Sequence, residues 1–344
     1  MQNITNKTNS IDVGTSGQIP EHILNSSEPV ILRGLVNNWE LYKAGQASNS
    51  QAIDYLKSAD NGKPAIACIG RPEIQGRFFY NNDISKLDYQ SQKMPISEVL
   101  DLIMATLNAP QTPSYYIASS FVDKHLPSLR ENNDLDISKH INSGLMSKPE
   151  MKIWLGNATL AACHYDTSDN IACCVVGNRR FTLFPPEQIH NLYPGPLELN
   201  PGGPAISMVD FNEPDVDKYP RFKDAIAAGQ IAELTPGDAL YLPRMWWHQV
   251  EGLSKFNVLI NYWWNNVPNY FGEAMNVLQH ALLSIKDRPL TEKKAWQQVF
   301  DYYIFSESTH AGEHLPEQAR GSLGKIDELQ ARKLRAQLLN KLNR

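Results

Sequence analysis

The sequence predicts a mainly β fold with helices (α+β), built on a jelly roll or barrel. Short apolar or alternating runs recur through its first 266 residues, and Gly and Pro turns separate them: Gly156-Asn157, Gly177-Asn178, Pro185-Pro186 and Pro236-Gly237-Asp238. No regular strand–helix–strand alternation of a parallel sheet is visible.

The elements follow in order. Residues 1–18 are polar and rich in Asn, Ser, Thr and Gly, and read as a flexible lead-in. Pro29 to Gly34 reads as a short buried strand closed by Gly34. Ser50 to Ser58 and Pro95 to Leu107 read as helices; in the second, Ile96, Val99, Leu100, Ile103 and Met104 follow the 3.6-residue period. Tyr115 to Ser119, Lys152 to Leu155, Asn170 to Val176, Arg180 to Phe184, Asp238 to Leu242 and Asn257 to Trp263 are strand-like. Pro194 to Ile231 is a long Pro- and Gly-bearing connection, either a functional lid or a surface excursion that covers a sheet edge. Beyond Asn266 three helical stripes appear: Ala274, Leu278, Ala281, Leu282 and Ile285; then Trp296, Val299, Phe300 and Tyr303; then Ile326, Leu329, Leu334 and Leu338. The expected organisation is a lead-in (1–18), a β domain (19–266) and a helical C-terminal region (267–344).

Composition narrows the function. At 344 residues and 42% apolar content, the chain can bury a sizeable core. A net charge of −5 and a pI near 6.0 lack the basic footprint of a nucleic-acid binder. Four cysteines with no C-x-x-C spacing, no secretory leader and no apolar run of about 20 residues fit a cytoplasmic protein with no membrane partner.

The most informative motif is His164-Tyr165-Asp166, followed 84 residues later by His248 within Pro243-Arg244-Met245-Trp246-Trp247-His248. On a strand, residues two apart share a face, so His164 and Asp166 aim at one point while Tyr165 faces away. His248 on a neighbouring strand would complete two nitrogens and one oxygen on one side of a metal, the facial triad of non-haem Fe(II) oxygenases. The competing reading is a hydrogen-bonded surface pair. A second element is Arg179, beside Arg180 on one strand. An arginine can clamp a carboxylate with two parallel hydrogen bonds, and alternation lets one of the two face inward.

These residues carry a resemblance. His164-Tyr165-Asp166, Asn170, Gly177, Arg179-Arg180-Phe181, Leu183 to Gln188, Pro236-Gly237-Asp238, Leu242-Pro243, Trp246-Trp247-His248 and Asn261-Tyr262-Trp263 occur in the order seen in the cupin-like JmjC oxygenases. The chain is similar to the asparaginyl hydroxylases of that family and to bacterial cupin-like proteins, over residues 19–266. The resemblance implies a double-stranded β-helix, Fe(II), 2-oxoglutarate as co-substrate and O2. It implies that His164, Asp166 and His248 ligate iron, and that Arg179 and Tyr116 hold the far carboxylate of 2-oxoglutarate. Thr159 would be a third partner of that carboxylate, and Asn170 and Asn261 would line the pocket.

The expected activity is hydroxylation of a protein or small molecule. N-demethylation by the same chemistry and non-catalytic sensing of iron or a metabolite are the alternatives. The family's hydroxylases dimerise through C-terminal helices, which implies a homodimer through 267–344; the alternative is a cap on the same chain's barrel.

Overall fold

The computed structural model describes residues 4–14, 18–139, 148–201, 203–307 and 310–343. Its strands in chain order are β1 (Asn9–Asp12), β2 (Val30–Arg33), β3 (Ala65–Gly70), β4 (Arg77–Phe78), β5 (Gln90–Met94), β6 (Ser114–Phe121) and β7 (Glu150–Gly156). They continue with β8 (Leu160–Tyr165), β9 (Asp169–Val176), β10 (Arg179–Phe184), β11 (Gln230–Leu234), β12 (Ala239–Leu242), β13 (Trp247–Gly252) and β14 (Asn257–Trp264).

Two sheets result. The larger runs β1-β2-β12-β9-β14-β7-β6-β3-β5 and the smaller runs β11-β10-β13-β8-β4. From β7 onward the chain steps back and forth between them: β7, β9, β12 and β14 belong to the larger, and β8, β10, β11 and β13 to the smaller. This is the jelly-roll winding that the sequence predicts. The apolar runs take the positions that need them. Asp169–Val176 is buried at every residue because β9 lies between β12 and β14 with both faces covered.

The helices Asn49–Ala59 and Ile96–Thr106 lay Ile53, Leu56, Ile96, Val99, Leu100 and Ile103 into the main core, together with the outer face of the larger sheet. Ser48 caps the first by accepting from the Gln51 N–H. A second apolar cluster, including Ala172, Cys174, Phe181, Leu240 and Leu259, lies between the sheets. A third gathers Cys163, Tyr165, Phe184, Phe211, Phe222 and Trp247.

Two expectations are corrected. The lead-in is not uniformly loose: Asn9–Asp12 pairs in parallel with Val30–Arg33, and the Thr8 N–H donates to the Ile231 carbonyl. Residues 1–3 and 15–17 of it lie outside the described residues. The physical reason is that β2 offers an unpaired edge, which even a polar segment can satisfy. The long connection is also more ordered than its composition suggests. It contains a bridge between Pro194 and Ser207, a helix Phe222–Ala228 and the start of β11.

The chain divides into two compact units, with the second beginning at Asn266. That unit holds the helices Ala274–Ser284, Leu290–Phe300 and Glu328–Leu342, one for each sequence stripe. The four cysteines are free. No helix among the described residues is long and apolar enough to cross a membrane.

The turn before β12 fastens this frame. Gly237 has φ +98°, and a Cβ there would lie 1.7 Å from Asn37 Oδ1, so the position requires glycine. Asp238 is buried and accepts from Arg33 Nη1 (2.6 Å), the Gly34 N–H (3.1 Å), the Thr235 N–H (3.1 Å) and Thr235 Oγ1 (3.0 Å). Asp238→Ala is expected to destabilise the first unit by about 3 kcal/mol, because several donors lose their acceptor at once. Arg33→Ala should cost less than about 1 kcal/mol, since that side chain is half-exposed. Urea unfolding of both variants checks the ranking.

Candidate metal centre and adjoining cavity

His164 ends β8 and His248 lies near the start of β13, and the two residues sit directly opposite in the antiparallel pairing. Cross-strand partners project to the same side, so the imidazoles meet with ring centroids 4.4 Å apart. Asp166 follows one residue beyond β8, and its backbone carbonyl accepts from the Met245 N–H at 2.8 Å. Its Oδ2 stands 3.6 Å from His248 Nε2. Tyr165 points the other way, edge-on against Trp247 at 4.8 Å, so one aromatic pair braces the back of both ligand strands.

Ligand atoms of His164, Asp166 and His248 all lie within 4.8 Å of one another. Their tautomers suit a metal. His164 Nδ1 contacts the Ala162 carbonyl at 2.8 Å, and His248 Nδ1 contacts the Trp246 carbonyl at 3.0 Å. A carbonyl can only accept, so each Nδ1 carries the proton and each Nε2 lone pair is free to coordinate. Burial, then the neighbouring His164, pulls the His248 pKa down to about 4, against the opposing pull of Asp166 and the Trp246 carbonyl. His248 is therefore neutral near pH 7, as a ligand must be. Two imidazoles and one carboxylate on one side fit a divalent ion with open positions.

The triad faces a cavity that also includes Tyr116, Trp154, Asn170, Arg179, Asn261 and Trp263. Alternation on β10 turns Arg179 inward and Arg180 outward, where Arg180 Nη2 pairs with Glu233 at 2.9 Å. Arg179 is 4% exposed, and its Nε is buried without a hydrogen-bond partner. Burial pulls its pKa below the usual arginine value, opposed by Cys174 and Tyr116. A buried, unpaired guanidinium costs free energy unless an anion joins it, so the cavity floor fits a carboxylate. Burial also pushes the Tyr116 pKa up to about 12, which keeps its hydroxyl protonated as a donor.

Of the eight residues that the sequence points to, the structure brings seven together. Thr159 is the exception. It is buried in the turn before β8, where strand alternation does not apply, and its carbonyl accepts from the Gly252 N–H. Ala161, on the strand itself and opposite Val250, takes a lining position. Sequence reasoning also missed Trp154, Phe181, Val250, Leu259 and Trp263 as lining residues. Period-2 extension would have found most of them: Arg179 leads to Phe181, His248 to Val250, and Asn261 to Leu259 and Trp263.

Comparisons with known proteins agree with this geometry. The profile of the cupin-like domain matches residues 16–270. The chain is 24% identical over 273 residues to the lysine-specific demethylase JMJ31 of Arabidopsis thaliana, covering 70% of this chain and 48% of that protein. It is 25% identical over 249 residues to lysine-specific demethylase 8 of Xenopus tropicalis, covering 71% of this chain and 50% of that protein. It is 24% identical over 309 residues to the tRNA wybutosine-synthesizing protein 5 of Mus musculus, covering 83% of this chain and 89% of that protein. The chain thus spans about half the length of the two demethylases. With three quarters of its residues under that profile and a His-Asp-His cluster inside the jelly roll, the chain belongs to the cupin-like domain family, of the JmjC oxygenase type.

Proposed function

We propose that the chain is an Fe(II)- and 2-oxoglutarate-dependent oxygenase that hydroxylates a protein or small-molecule substrate. One observation carries this reading: a buried, unpaired Arg179 lies in the same cavity as an open His164/Asp166/His248 triad.

The register supports a co-substrate of dicarboxylate length. On β13, His248 stands opposite Leu183 and Gly252 stands opposite Arg179, four residues further along. That is about 13 Å between strand levels. The arginine side chain spans part of this gap, leaving room for a short diacid with one end at the metal and the other at Arg179. His164, Asp166 and His248 would hold Fe(II), which when bound supplies the oxygen-activating chemistry. The chain's own part is positional. Arg179 and the Tyr116 hydroxyl would anchor the far carboxylate, while Trp154, Phe181, Leu259 and Trp263 exclude water.

N-demethylation differs in the carbon attacked, and it is favoured by the two relatives named as lysine demethylases. Conversion of methylated-lysine peptides, tested beside unmethylated peptides and tRNA, separates these outcomes. Metal binding without turnover of any of them would favour a non-catalytic sensor.

The chain is further proposed to act as a homodimer through 267–344. Its C-terminal helices Ala274–Ser284 and Leu290–Phe300 bury no residue in the single chain, and Glu328–Leu342 buries Ala331. Leu283, Ile304, Phe305 and Leu290 are 64–81% exposed. Amphipathic helices gain most of their stability from an apolar partner, and two-fold pairing is the commonest way to supply one.

Two expectations follow. Arg179→Ala should weaken 2-oxoglutarate binding by a hundredfold or more, corresponding to about 3 kcal/mol for a lost buried charge partner. Arg180→Ala should change it less than about threefold, because Arg180 is committed to Glu233 outside the cavity. Anaerobic calorimetry on the Mn(II)-loaded chain measures both; equal effects would reverse the assignment. Light scattering should show a dimer for the full chain and a monomer after deletion of 267–344, whereas a full-length monomer at micromolar concentration would make the helices an intramolecular cap.

A further inference from the structure

The cavity wall opposite the metal ligands carries a directed line of hydrogen bonds across three adjacent strands. Trp154 on β7 donates its Nε1–H to Asn261 Oδ1 on β14 at 2.7 Å. Asn261 Nδ2 then donates to Asn170 Oδ1 on β9 at 3.1 Å. An indole nitrogen can only donate, so the order is forced: Asn261 must turn its oxygen to Trp154 and its NH2 to Asn170. Asn170 must therefore turn its oxygen to Asn261, which leaves its own NH2 as the end of the line, within the cavity lining.

Position makes this end meaningful. Asn170 pairs with Leu242 and Trp263 in the larger sheet, near the start of β9 and three residues from the ligand Asp166. A side-chain amide left alone could present either its oxygen or its NH2 to a ligand. Here a tryptophan two strands away decides the matter.

We infer that Trp154 is a positioning residue that sets the polarity of the Asn170 amide through Asn261, so that the cavity offers NH2 donors to the acceptor oxygens of a bound 2-oxo acid. The inference rests on the proposed co-substrate, and it adds a residue that reaches the ligand through two others. It also explains why the wall uses asparagines. Aspartate at 261 would have no NH2 to pass on, and aspartate at 170 would place a carboxylate against an anionic ligand. Trp154 also packs beside Tyr116, with centroids 6.3 Å apart, and edge-on to Trp263 at 5.9 Å, so phenylalanine is the conservative replacement that keeps a ring and removes the donor.

The test is a double-mutant cycle on the full-length Mn(II)-loaded chain under nitrogen, with Trp154→Phe, Asn170→Ala and the pair. Affinity for 2-oxoglutarate is read by calorimetry, and Asn170 and Asn261 side-chain amide signals are read by NMR on [15N]asparagine-labelled protein. Trp154→Phe should weaken 2-oxoglutarate about tenfold when Asn170 is present, and less than about twofold in the Asn170→Ala background. It should leave metal stoichiometry unchanged and shift both amide signals even without ligand. An equal loss in both backgrounds would mean that Trp154 acts by packing, and would overturn the inference, as would unshifted amide signals. A wild-type chain that fails to bind 2-oxoglutarate at all would overturn the co-substrate reading instead, and the amide signals would then decide the relay alone.

Discussion

The pairing of β8 with β13 is the constraint on which the candidate site depends. His164 and His248 are metal-ligand candidates because they stand opposite each other on neighbouring strands. A slip of one residue would send one imidazole to the opposite face of the sheet. Several contacts hold this register. Tyr165 and Trp247 lock edge to face behind the ligands, and the Met245 N–H holds the Asp166 carbonyl. Arg244 binds Asp169 through its backbone N–H and its guanidinium, which ties the turn before β13 to the start of β9. The turn pays for this geometry with Met245 at φ +67°, a left-handed conformation that a non-glycine residue adopts at some cost.

The second constraint is electrostatic. Arg179 is brought into a cavity that gives its Nε no partner, and Trp263 Nε1 is likewise buried without one. Folding alone gains nothing from such groups, since each has lost water without gaining a hydrogen bond. Their presence beside an open triad makes sense if a ligand supplies the missing acceptors. The surrounding chemistry agrees: beyond the triad, the polar lining residues are Arg179, Tyr116, Trp154, Trp263 and two amides that are bonded to each other. Donors outnumber acceptors, which is the pattern that receives an anion.

Much of this was legible in the sequence, for reasons that differ from residue to residue. His164 and Asp166 could be read because strand alternation is local and strict. Three C-terminal helices could be read because their period is local too. Arg179 was legible as one of a pair, but parity alone could not say which faced inward; Glu233, more than 50 residues away on β11, settles that by pairing with Arg180. Thr159 misled because a residue count cannot tell a strand from the turn before it. The strands Asn9–Asp12 and Gln230–Leu234 were hidden because both are largely polar, and their partners, β2 and β10, lie far along the chain. The Trp154–Asn261–Asn170 line was beyond reach altogether, since it exists only once β7, β14 and β9 lie side by side.

The central claim is that one cavity chelates a 2-oxo acid on a metal held by His164, Asp166 and His248. Anaerobic titration of the Fe(II)-loaded full chain with 2-oxoglutarate, followed by visible absorption, tests it most directly. The account predicts a new charge-transfer band that saturates at one equivalent per chain and is absent from His248→Ala. Iron that binds without any such band, or a band of undiminished strength in His248→Ala, would contradict it.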